Sequence, residues 1–254
     1  MIGTAALAWS YNLTGSPATI LFPLTLLAWE VSCAHFNNAI SLATLLFNSK
    51  QFAENLVPFL ILTFVQFVGA LLGIFLTFVS VNHEYAGATD TKAYNPSTPT
   101  LCPSWGCGDV PIGHNEVDTY KWTAFFVEFI STFLFVFAWL IIRNHDIDPK
   151  GEWSKWQNLF KPYFVYLAYS AIMGLNQASA RGLMNPTLAV EIWLWGMGTY
   201  NDRNPADNNQ TIFFRDHDGR FIWIYLLADY LAAICAGLLA KQHFACIEDE
   251  SSDE

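Results

Sequence analysis

Gly182-Leu183-Met184-Asn185-Pro186-Thr187-Leu188-Ala189-Val190 sets an Asn-Pro pair inside a long apolar region. Asparagine is favoured at a helix N-cap, where its side-chain oxygen accepts a backbone N–H. Proline is favoured at the first helical position, where its missing N–H costs nothing. The pair predicts a helix capped by Asn185, started by Pro186 and carried by Leu188 to Trp195. At about ten residues that helix is too short to cross a bilayer. A helix that starts inside a membrane leaves its first N–H groups in need of partners. It is tolerated where backbone lines a polar cavity, and its positive end then faces that cavity.

A second copy of the plan lies upstream. His35-Phe36-Asn37-Asn38-Ala39-Ile40-Ser41-Leu42-Ala43 again places an asparagine before a short apolar helix, this one ending near Asn48. Asn37 and Asn185 therefore hold corresponding places in two halves of the chain. Paired interrupted hydrophobic segments predict an inverted repeat with a site near the membrane midplane.

The two stretches resemble the paired Asn-Pro-Ala boxes of aquaporins and glycerol facilitators, the major intrinsic protein family, with Asn38 in place of the first proline and Thr187 in place of the second alanine. Further phrases carry the resemblance along the chain. Ile2-Gly3-Thr4 is similar to the end of the family's first-helix phrase. Gln66-Phe67-Val68-Gly69-Ala70-Leu71-Leu72-Gly73 is similar to its third-helix phrase, and Glu128-Phe129-Ile130-Ser131-Thr132-Phe133 to its fourth. Trp223-Ile224-Tyr225 and Ala232-Ala233 resemble the last helix, with Asp229 where the family has proline. The resemblance implies an all-α membrane fold, a bundle of six transmembrane helices plus two re-entrant half-helices in an inverted repeat. The transmembrane domain would occupy residues 1–247, with half one over about 1–82 and half two over about 120–243.

Composition points the same way. Of 254 residues, 53% are hydrophobic and 13% charged, and the excess is held in long apolar runs, the pattern of a multi-pass membrane protein. The net charge of −10 argues against nucleic acid as a partner. Much of that charge lies in residues 248–254, read as a disordered acidic tail. Met1 to Leu13 reaches only about two-thirds of the bilayer core, so the first span is short. Ser16-Pro17, Pro58 and Pro162 read as openings of spans two, three and five, while spans four and six run over about 120–142 and 221–239. Residues 83–119 form a long polar loop that holds Cys102 and Cys107, a pair that closes a disulfide only in an oxidising compartment. Their spacing lacks the further ligands of a metal site, and nothing else in the chain calls for a cofactor. The sequons at Asn12 and Asn209 and the cysteine pair share one side. The basic stretch from Arg143 to Lys161 and the C-terminus share the other, cytoplasmic-type side. Asn204-Pro205-Ala206 is a literal Asn-Pro-Ala, but no apolar helix follows it, and it reads as a loop turn.

Two capping asparagines set nose to nose would each keep an amide N–H for a passing oxygen, between two positive helix ends that resist cations and protons. No bond is made or broken, so the expected activity is not enzymatic. It is passive conduction of water or small neutral solutes. The pore-lining residues expected from the boxes and the resemblance are Asn37, Asn185, His35, Asn38, Leu188, Met173 and Gly182, with Pro17 at a further constriction position and Arg181 beside the gap. Glu128, Gln66 and Pro186 are expected to be structural supports, Glu128 by accepting hydrogen bonds from a re-entrant loop. Leu188 stands where the family carries the arginine of its outer constriction, so that constriction is expected to be apolar. The alternative is a non-conducting relative that serves as a subunit of a larger membrane complex. A proton-coupled transporter would instead use Glu30, Glu128, Glu191 or Asp229 as a relay. The family commonly forms homotetramers, and the lipid bilayer is the expected surrounding.

Overall fold

A computed structural model of the chain describes residues 1–14, 18–80, 116–145, 154–176, 183–199 and 222–252. These residues are nearly all helical, with no strand among them. In chain order the helices are α1 (Ile2–Thr14), α2 (Ala18–Ser32), α3 (Asn38–Phe47), α4 (Phe52–Ser80), α5 (Glu116–Asn144), α6 (Ser154–Asn176), α7 (Pro186–Thr199) and α8 (Ile222–Ser252).

Three stretches are long and apolar enough to cross a membrane: Ser49–Ser80 around α4, Ala124–Asn144 in α5 and Ile222–Ile247 in α8. Parts of α2 and α6, and all of α3, are apolar but shorter. The surface agrees with a membrane protein. Leu60, Ile61, Phe64, Leu71, Phe75 and Phe78 of α4 are exposed. So large an apolar face is rarely left open to water, whereas lipid accommodates it.

Some boundaries differ from the sequence reading. Pro58 and Pro162 lie inside α4 and α6, which begin earlier, at Phe52 and Ser154. Each proline gives up the one N–H that would bond the carbonyl four residues earlier, an interior break that helices in an apolar surrounding tolerate. α8 continues to Ser252, through most of the acidic run at 248–254. Asn12 falls within α1. Cys102, Cys107, Asn209 and the stretch Asn204-Pro205-Ala206 lie outside the described residues.

The packing repeats between the two halves. α1 packs on α4 as α5 packs on α8, and α3 on α4 as α7 on α8. α1 meets α2 as α5 meets α6. Across the halves, α3 lies against α8 as α7 lies against α4, α3 touches α5 as α7 touches α1, and α2 crosses α6. Exchanging α1–α4 with α5–α8 maps each of these contacts onto another or onto itself.

Small residues set the closest approaches, as expected where helices associate by packing. A Cβ at Gly73 would lie 2.4 Å from Ala8 Cβ, and one at Gly69 would lie 2.6 Å from the Met1 carbonyl oxygen, so α1 and α4 meet almost backbone to backbone. At Gly237 of α8 a Cβ would lie 2.7 Å from the carbonyl oxygen of Ala43 in α3. Backbone cannot step aside as a side chain can. Gly237→Leu is therefore expected to cost about 1–3 kcal/mol and to lower the melting temperature in detergent by about 5 °C. An unchanged melting curve would show that α3 and α8 are not in this contact.

Candidate functional site

Asn37 and Asn185 play the same local part. Asn37 has extended backbone (φ −130°, ψ 124°), and its Oδ1 accepts from Ala39 N at 2.9 Å. Asn185 Oδ1 accepts from Thr187 N at 3.1 Å. Their carbonyls take the first helical bonds, from Ser41 N at 3.1 Å and Ala189 N at 3.0 Å. Each cap thus satisfies one of the N–H groups that a helix start leaves unpaired. Pro186 is the first residue of α7 and has no N–H to satisfy.

The amide nitrogens join the two halves. Asn37 Nδ2 donates to the Met184 carbonyl, and Asn185 Nδ2 donates to the Phe36 carbonyl at 3.2 Å. Each asparagine caps its own helix with its oxygen and holds the opposite loop with its nitrogen. Both side chains are buried. An amide nitrogen carries two hydrogens, and the described bonds use one on each.

The loops before the two caps are held differently. Met184 has φ 48°, a left-handed conformation that costs a side-chain-bearing residue roughly 1–2 kcal/mol. Its N–H donates to Glu128 Oε1 of α5 at 2.6 Å, and both residues are fully buried. Leaving that buried N–H without an acceptor would cost about 1–3 kcal/mol, so the bond holds the turn against its strain. In the first half, Cys33 (φ 53°) and Ala34 (φ 52°) form the left-handed turn, and no carboxylate is needed. Ala34 N returns to the Ala28 carbonyl at 3.3 Å, closing α2, and Phe36 N bonds the Ala34 carbonyl at 2.8 Å. Gln66 of α4 then fixes the loop from outside, donating to the His35 carbonyl at 2.7 Å and to Ser41 Oγ at 2.9 Å.

A cavity of about 30 Å³ lies against both caps. Asn37, Asn185, Phe36, Ile40 and Leu188 line it from the paired caps and the start of α3 and α7. Leu21 and Thr25 of α2, Phe135 and Trp139 of α5, and Val165 and Tyr169 of α6 close its sides. The volume suits one or two water molecules. Thr25 is buried, and its Oγ1 has no hydrogen-bond partner among the described residues.

The chain as a whole matches no known family model, and no curated protein matches it either.

Of the residues singled out from sequence, Asn37, Asn185 and Leu188 line this cavity. His35 stands beside it, its ring edge-on to Trp139 with centroids 5.2 Å apart. Asn38 and Met173 do not line it. Asn38 turns to α4, where Nδ2 donates to Thr63 Oγ1 at 2.8 Å and Gln66 Oε1 at 3.1 Å. Two strong acceptors on α4 outcompete a place on the cavity wall. Met173 is buried in the same apolar core. Gly182, Pro17 and Arg181 lie outside the described residues. Of the carboxylates considered for a proton relay, Glu30 is exposed, while Glu128, Glu191 and Asp229 are buried away from the cavity lining. Asp229 Oδ1 accepts from Thr132 Oγ1 at 2.6 Å, tying α8 to α5.

Sequence reading missed Thr25, Phe135, Trp139, Val165 and Tyr169. Their signal was present as four-residue spacing, Phe135/Trp139 and Val165/Tyr169, which aligns side chains on one helix face. In helices this apolar the spacing does not stand out.

Glu128→Ala leaves the Met184 N–H without its acceptor and the left-handed turn without its support. A loss of about 1–3 kcal/mol is expected. Glu128→Gln keeps an acceptor oxygen and should lose less. Thermal unfolding of the two variants in one detergent tests this. Equal stability of Glu128→Ala and the unsubstituted protein would contradict it.

Proposed function

We propose that the chain is a passive channel for water or small neutral solutes, a divergent member of the aquaporin and glycerol-facilitator family. On this reading α1, α2, α4, α5, α6 and α8 are six spans, α1 a short one. α3 and α7 are re-entrant half-helices in an inverted repeat, and the C-terminus lies on the cytoplasmic side. The observation that carries it is the reciprocal pairing of Asn37 with Met184 and of Asn185 with Phe36 on the wall of one cavity. Two further features support it. The helix packing is symmetric under exchange of the halves, and the paired caps bring two helix N-termini to one cavity, where their positive ends favour an oxygen lone pair and oppose cations.

In this channel a water or hydroxyl oxygen would accept the remaining N–H of one or both asparagines. The hydroxyl of Thr25 is a third polar group on the wall. The remaining lining is mostly apolar, and a solute slides along it without strong binding. The small volume favours water over bulkier solutes.

One observation favours a second reading, a structural subunit that does not conduct. Leu7, Leu21, Ile40, Phe135, Val165 and Leu188 give the narrow cavity an apolar wall, and narrow apolar passages close by dewetting.

Osmotic shrinkage of liposomes containing the purified protein separates the two. The channel reading expects water efflux severalfold faster than from protein-free liposomes, with Asn185→Leu reducing the excess by more than half. Efflux no faster than from protein-free liposomes would overturn it in favour of the structural subunit.

A further inference from the structure

α5 carries Phe135, Trp139 and Arg143 at intervals of four, one above the next on a single face. The first two line the cavity, and Arg143 stands one turn beyond them, partly buried, in the last turn of the helix. Its side chain turns toward the first half-helix loop. The guanidinium carbon lies 5.0 Å from the centre of the Trp139 ring, Nη1 donates to His35 Nε2 at 3.0 Å, and Nη2 donates to Cys33 Sγ at 2.8 Å. The Arg143 carbonyl is itself held by Lys161 Nζ at 2.9 Å. Among the described residues no carboxylate pairs with Arg143. A partly buried guanidinium seated on an aromatic face and bonded to His35 and Cys33 is more than a helix end needs, since its carbonyls require only a surface cation.

The direction of the hydrogen bonds follows from arginine having donors only. His35 Nε2 must accept, so its ring proton is on Nδ1, which donates to Ser41 Oγ at 3.3 Å. Ser41 Oγ in turn donates to the Asn37 carbonyl at 3.3 Å. Arg143 thereby fixes the histidine tautomer and, through Ser41, supports the cap of α3. It also occupies the only ring nitrogen that could take up an arriving proton. A protonated His35 would have to break that bond and sit beside a second positive charge.

We propose that Arg143 is the specificity-determining charge of the pore, set at the Trp139 end of the cavity to exclude cations and protons while neutral, oxygen-bearing solutes pass. The assignment rests on the channel reading.

The test uses the full chain in liposomes and compares two fluxes: water, by light scattering, and protons, by an enclosed pH dye under an imposed pH gradient. Arg143→Gln removes the charge and keeps a donor for His35. Arg143→Met removes both and keeps the bulk, so loss of the fold in one still leaves a charge-free pore to measure. Arg143→Lys keeps the charge. The ratio of proton to water permeability is expected to rise about tenfold or more in the Gln or Met variant and to stay within about twofold of the unsubstituted value in the Lys variant. An unchanged ratio in a charge-free variant that conducts water overturns the assignment and leaves the channel reading standing. A Lys variant that leaks as the Gln variant does overturns it as well, because the charge alone would then not be the barrier. Absence of water flux in the unsubstituted protein overturns both.

Discussion

A helix that begins in an apolar interior must find partners for its first N–H groups, and the loop that leads to it must find donors for its carbonyls. Here two such beginnings solve the problem for each other. The oxygen of each asparagine serves its own helix, and the nitrogen serves the opposite loop through the carbonyls of Met184 and Phe36. Neither half satisfies its loop alone. The symmetric packing of the helices around α3 and α7 follows from this, because both starts must arrive at one level with their caps in register.

The two halves meet that demand by unequal means. The second spends a buried carboxylate, Glu128, on holding Met184 in a left-handed turn. The first uses a local turn through Cys33 and Ala34, braced by Gln66 from α4, which Asn38 of α3 in turn holds. The first half's copy of the Asn-Pro signal lacks its proline, and Asn38, which replaces it, becomes a brace. Asn38 is a structural element of the α3–α4 contact, and its amide ties α3 to the neighbouring long helix.

How much of this was legible in sequence depended on whether the signal was local. Capping is local: Asn37, Asn185 and Pro186 could be placed because residue type and helix start go together. The phrase from Gln66 to Gly73 stood out by resemblance, and in the structure its glycines, Gly69 and Gly73, receive α1. Glu128 stood out because a carboxylate in an apolar helix needs a partner. The cavity wall did not stand out, because Phe135, Trp139, Val165 and Tyr169 are apolar residues in apolar helices, where burial and cavity lining use the same alphabet. Helix boundaries slipped at Pro58 and Pro162, since proline is tolerated inside helices in an apolar surrounding as well as at their start. The left-handed turn at Cys33 and Ala34 was hidden because no glycine marks it. Arg143 was read as a mark of the cytoplasmic side. Its bonds to His35 and Cys33 join residues more than a hundred positions apart, and no spacing rule reaches that far.

The central claim is that the space between the caps is part of a solute path. Its most direct test is chemical access at Leu188, which lines the cavity three residues after Asn185. In a background with the five native cysteines replaced by serine, Leu188→Cys would be treated in liposomes with a small water-soluble thiol reagent while water permeability is followed. The account predicts that the reagent reacts from the aqueous phase and that permeability falls toward the protein-free value as labelling proceeds. A cysteine that the reagent cannot reach, or one that is fully labelled with permeability unchanged, would contradict it.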